Sequence, residues 1–114
     1  MSDADWRIPS STTRWFADVP ADAPVAVLLR HSARSPFLPG DAGDTVPLTS
    51  AGVGLAQRLG AMLGDRLRSL QASPLRRCME TAEALRSGAG VDVPVVADRL
   101  LGDPGVFVAD ARLA

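Results

Sequence analysis

The chain has 114 residues, the size of one ordinary domain, so two independent cores are not expected. Twelve basic residues against thirteen acidic ones leave a formal charge of −1, which excludes a broadly basic nucleic-acid binder. Hydrophobic residues at 46% and charged residues at 22% describe a globular chain rather than a disordered one.

Residues 1–24 mix Ser, Thr, Asp and Pro and lack the apolar stretch of a secretory signal. They read as an N-terminal extension, with Trp6, Trp15 and Phe16 expected to pack on the body because large aromatics rarely stay in water. Residues 25–29, Val-Ala-Val-Leu-Leu, are the longest apolar run and far too short to span a bilayer. A cytoplasmic protein with no membrane or nucleic-acid partner is expected. An uninterrupted run of this kind fits a strand covered on both faces in a parallel sheet. Residues 30–36 then read as a polar loop, and the Gly-, Pro- and Asp-rich residues 37–47 as a second one.

Thr49 has the chemistry of a helix N-cap. Beyond it Leu55, Leu59, Leu63 and Leu67 recur at i+4, beside a row of small residues, Gly52, Ala56 and Gly60, that would allow close approach to a sheet. Residues 70–73 read as a second strand, and Pro74 as the opening of a second helix at its tolerated first turn. Leu75, Cys78, Met79, Ala82 and Leu85 keep helical spacing until Gly88 and Gly90 end it. Cys78 is the sole cysteine, which excludes an internal disulfide and a thiolate-rich zinc site; no metal and no cofactor is expected. Residues 93–96 read as a third strand, with Pro94 placing it at an edge or standing at its start. Strand, helix, strand, helix, strand is the order of a parallel α/β sheet with crossover helices.

In such a sheet ligands sit beyond the carboxyl ends of the strands. Two polar clusters fall there: Arg30, His31 and Arg34 after the first strand, and Ser73, Arg76 and Arg77 after the second. The chain contains no Lys, so an anion site must be built from guanidinium groups, the better bidentate clamps for phosphate or carboxylate. Guanidiniums around one imidazole suit a dianionic phosphoryl group, with a neutral ring nitrogen attacking phosphorus. Taken singly each residue has a plainer reading: a hydrogen-bonded surface His, a solvated Arg-Arg pair, a cap at Thr49, a core Cys78.

The combination resembles a known family. Leu28-Leu29-Arg30-His31-Ser32-Ala33-Arg34-Ser35-Pro36 is similar to the Arg-His-Gly signature of the histidine phosphatase (phosphoglycerate mutase-like) superfamily, and its extension to Arg34 and Pro36 resembles the form of the acid phosphatase branch. Leu48-Thr49-Ser50-Ala51-Gly52 resembles the family's Leu-Thr-x-x-Gly helix start, and residues 73–82 its Ser-x-Leu-x-Arg-x-x-x-Thr-Ala helix. The three motifs stand in the family's order over residues 25–85.

The resemblance implies a three-layer α/β/α fold of phosphoglycerate mutase type and a phosphomonoester hydrolase. His31 would carry a transient phosphoryl group. Arg30 and Arg77 would hold its oxygens, Arg34 would add a contact, and Arg76 would be surface. Substrates would be small phosphorylated molecules or phosphoproteins. A mutase-like phosphotransferase, or an inactive phosphate- or protein-binding module of the same fold, are the alternatives. The chain departs from the family at Ser32, where Gly is usual, and at Leu55, where Gln is common. His31 is its only histidine, where the family uses two, and no motif selects a general acid from Asp98, Asp103 and Asp110. Family domains run to roughly twice this length. Residues 25–114 are therefore expected to be an N-terminal half-domain behind the extension 1–24, prone to self-association through uncovered apolar surface.

Overall fold

A computed structural model describes residues 7–20, 22–36 and 46–102. Thr49 begins the central helix as its residue type requires. Its backbone is extended, and its Oγ1 accepts the Gly52 N–H at 3.0 Å. Helix α2 runs Ser50–Leu63 and ends at Gly64, whose φ of +53° suits a residue without Cβ. The face it buries is the row Gly52, Ala56 and Gly60. The leucine stripe is only half-buried, and Leu67 lies beyond the helix end. The small row prevails because it meets backbone directly, that of a second helix and of the loop at Ala33 rather than of the sheet expected from the sequence. A Cβ on Gly60 would lie 2.9 Å from the Leu85 carbonyl carbon, so no larger side chain fits between the helices.

Strand β1 (Leu70–Ala72) leads through helix α3 (Arg76–Ala89) to strand β2 (Val95–Ala97). The strands pair in parallel, Leu70 opposite Val95 and Ala72 opposite Ala97, and the Asp98 N–H continues the ladder to Ala72 O at 2.7 Å. This is the βαβ unit expected from the sequence, and the fold class is α/β. Helix α3 starts at Arg76 rather than at Pro74, because Leu75 keeps an extended backbone. The buried Ser73 hydroxyl supports the bend: its oxygen accepts the Leu75 N–H and it donates to Gly102 O. The helix stops at Gly90, which takes the left-handed conformation (φ +69°) while its N–H caps Arg86 O. Pro94 stands just ahead of β2, which begins one residue later, where each residue again has an N–H to offer. Ala72, Ala82, Ala84 and Leu85 form the core between these elements.

Two features differ from the sequence reading. Residues 25–29 form no strand; Leu28 is 88% exposed, and the described sheet consists of β1 and β2 only. A strand is defined by a ladder partner, and none of the described segments pairs with this run. Instead an unexpected helix, α1 (Ser10–Asp18), lies against it, with Trp15, Phe16, Val27 and Leu29 lining one small hollow. Phe16 is buried and so packs on the body as expected, whereas Trp15 meets it edge-on at 4.8 Å but stays 46% exposed; Trp6 lies outside the described residues. Arg66 fastens the end of α1, donating to Phe16 O at 3.3 Å and Val19 O at 3.1 Å. Among the described residues no helix is long and apolar enough to cross a membrane.

Candidate active site

The segment after residue 29 is held by the first turn of α2 and the middle of α3. The Thr49 N–H donates to Ala33 O at 2.9 Å, and the Ser35 N–H to Pro47 O at 3.0 Å. Arg34 and Leu48 form an isolated antiparallel bridge. Gly52 allows this approach: a Cβ there would sit 3.0 Å from both the carbonyl carbon and the nitrogen of Ala33. From α3, Thr81 reaches across, its Oγ1 accepting the Ser32 N–H at 3.0 Å while donating to Arg77 O at 2.7 Å.

His31 lies half-buried in this frame. Its Nδ1 is 2.8 Å from Ser32 O. A carbonyl can only accept, so Nδ1 carries the proton, and in the neutral ring Nε2 keeps a lone pair. The His31 pKa is lowered from 6.5, first by burial and then by the positive charges of Arg77, Arg30 and Arg34; the hydrogen bond to Ser32 opposes them. Of the four guanidiniums singled out in the sequence, Arg30, Arg34 and Arg77 lower the His31 pKa and Arg76 does not contribute. Arg30 is exposed, Arg34 is half-buried and donates to Ser35 O at 3.0 Å, and Arg77 stands half-buried in the first turn of α3 with Nε shielded from solvent.

The other sequence candidates serve structure. Arg76 faces outward beside Glu80, 3.4 Å away, and the Ser73 hydroxyl shapes the start of α3. The Asp98 carboxylate caps the 3-10 turn Arg99–Leu101 through the Leu100 N–H; Asp103 and Asp110 lie outside the described residues. Sequence reasoning assigned no role to Thr81, although it stands in the quoted Thr-Ala motif. It treated Ser32 only as a departure. Ser32 carries no backbone penalty, since no non-glycine residue among those described has a positive φ.

The lowered pKa has a sign that can be measured. The unfolded chain protonates His31 near pH 6.5, whereas the folded chain resists until lower pH. This contribution is therefore complete above pH 6.5 and is lost as the pH falls through the folded value. Urea midpoints measured at about pH 7 and about pH 5.5 are expected to fall less in His31→Gln than in the parent. Equal falls would contradict the shift.

Among curated proteins none matches the chain. Among solved structures it is similar to a protein assigned as the phosphohistidine phosphatase SixA from Agrobacterium tumefaciens, at 27% identity and a TM-score of 0.49, covering 62% of this chain and 48% of that one. The chain thus spans about half the length of that protein. The model of the histidine phosphatase superfamily (branch 1) matches residues 26–103. That match spans all three motifs and sets the branch, which the short Arg34–Pro36 extension does not. With the motif residues folded around one imidazole and two-thirds of the sequence matched, the chain belongs to the histidine phosphatase superfamily, branch 1.

Proposed function

We propose that the chain carries the phosphoryl-accepting centre of a cytoplasmic phosphomonoester hydrolase, with His31 as nucleophile and Arg30, Arg34 and Arg77 holding the phosphoryl oxygens. The observation that carries this reading is the His31 ring itself: Nδ1–H is committed to Ser32 O, and three guanidiniums favour the uncharged form. A neutral Nε2 attacks phosphorus, the P–O bond of the ester breaks, and its electron pair leaves on the alcohol oxygen, which takes up a proton. The ring gains positive charge as the N–P bond forms, and the Ser32 carbonyl facing Nδ1–H stabilises it. Water then attacks the phosphohistidine, releasing inorganic phosphate and restoring Nε2. The guanidiniums are charged before the reaction begins, so stabilising the transferring group requires little reorganisation.

The single histidine favours a second reading, a phosphate-binding module that forms no covalent intermediate. The two are separated by incubating the chain with an aryl phosphate, quenching in base, and mapping the product by mass spectrometry. An acid-labile phosphoryl group on His31 is the expected product. Phosphate-induced thermal stabilisation without labelling would establish the binding module instead.

A further inference from the structure

The function proposed above leaves one feature without a role: the side chain that stands at position 32. Ser32 engages three elements at once. Its carbonyl accepts from His31 Nδ1 at 2.8 Å, its N–H donates to Thr81 Oγ1 at 3.0 Å, and its own hydroxyl donates to Gly52 O at 2.7 Å. A glycine at this position would keep the two main-chain bonds and lose the third. We propose that Ser32 and Thr81 are positioning residues forming a hydroxyl clasp that fixes the His31 imidazole relative to helix α3, which carries Arg77.

Thr81 ties the loop to α3: its Oγ1 accepts the Ser32 N–H, and its hydroxyl donates to the main-chain Arg77 O, one turn back on the same helix. Arg77 and the peptide after His31 therefore share one hydroxyl as a common anchor. Ser32 Oγ adds a second tether, to the first turn of α2. With both in place, the plane of the 32 carbonyl is set from two helices, and that carbonyl selects which ring nitrogen of His31 keeps its proton. Removing the Ser32 hydroxyl leaves the carbonyl pinned from one side only, so the Nδ1–H bond lengthens or alternates and Nε2 loses its fixed direction. Losing one such bond corresponds to roughly 0.5–1.5 kcal/mol, about a two- to tenfold change in a binding constant.

The test rests on His31 being the sole imidazole, so one set of ring 15N signals reports it without assignment ambiguity. Long-range 1H–15N correlation on the whole chain, above the ring's titration range, is expected to give a protonated Nδ1 and a bare Nε2. In Ser32→Gly, Ser32→Ala and Thr81→Val the two nitrogens are expected to move toward the exchange-averaged values of a free ring, with Thr81→Ser restoring the parent pattern. Inorganic phosphate affinity, read by calorimetry, is expected to weaken about two- to tenfold in the same variants and to recover in Thr81→Ser. Ser32→Gly asks nothing sterically of the loop, so it reports even if the bulkier Thr81→Val does not fold. Parent-like ring signals in a folded Ser32→Gly would overturn the Ser32 tether, and parent-like signals in a folded Thr81→Val would overturn the Thr81 anchor. Because the ring signals do not depend on turnover, absence of phosphate binding by the parent chain would count against the proposed function while the tautomer still judges the clasp.

Discussion

Gly88→Ala is expected to separate the two central helices and to cost the fold on the order of 3 kcal/mol or more. A Cβ at Gly88 would lie 2.6 Å from the carbonyl carbon and 2.8 Å from the Cα of Gln57, all backbone atoms of α2 with no rotamer to yield. Gly60 meets α3 in the same way, against Leu85 and Ala89. Each position is therefore one side of a backbone-to-backbone crossing, and a methyl group can be admitted only by moving a whole helix. Helix propensity pulls in the opposite direction, favouring Ala over Gly by about 1 kcal/mol. The steric term exceeds it because this crossing joins the only two long helices among the described residues. Gly54 provides the contrast on the same helix. Nothing lies within 4 Å of its Cβ position, so Gly54→Ala is expected to gain about 0.5–1 kcal/mol and to raise the melting temperature by about 4 °C. Thermal unfolding followed by circular dichroism checks both substitutions. A Gly88→Ala chain melting at or above the parent would refute the crossing as described.

The difference between these glycines marks where the sequence was legible. The cap at Thr49, the Gly90 stop and the βαβ order are local or follow from chain connectivity, and each could be read from residue type and spacing. The choice between the leucine stripe and the Gly52–Ala56–Gly60 row could not, because both have helical period and the partner decides which is buried. Residues 25–29 illustrate the same limit for strands: an apolar run states that it prefers burial, whereas a strand also needs a neighbour at hydrogen-bonding distance. Helix α1 escaped notice because Ser, Thr and Trp have middling helix propensity and no side-chain cap announces it; its stability comes from Phe16 and from Arg66, fifty residues away. At the candidate site the charged residues stood out because Arg30 and His31 directly follow an apolar run and Arg77 falls within a quoted motif. The hydroxyls of Ser32 and Thr81 did not. A hydroxyl suits a loop, a cap or a core equally well, and only the contact across 49 residues distinguishes them.

Turnover of an aryl phosphate is expected to vanish in His31→Ala and to fall about 10²–10³-fold in Arg77→Ala, the usual loss on removing one preorganised donor from a developing oxyanion. The two residues fail for different reasons. Without the imidazole the proposed nucleophile is gone, and no other histidine in the chain can replace it. Without Arg77 the nucleophile remains, and its pKa is expected to rise because one of the positive charges that depress it is gone. Activity in Arg77→Ala should therefore decline further than the parent's as the pH is lowered, since a larger share of His31 becomes protonated. Arg77→Lys restores the charge and the pKa while losing the planar pair of donors, so it is expected to recover the pH profile but only part of the rate. Arg76→Ala serves as the neighbouring control: its guanidinium is solvent-exposed beside Glu80, and exposed pairs of this kind contribute little, so the rate should stay within about twofold of the parent. If Arg76→Ala and Arg77→Ala lost activity equally, the phosphoryl clamp would have to be sought on the outer face of α3, and the centre built around His31 would be the wrong one.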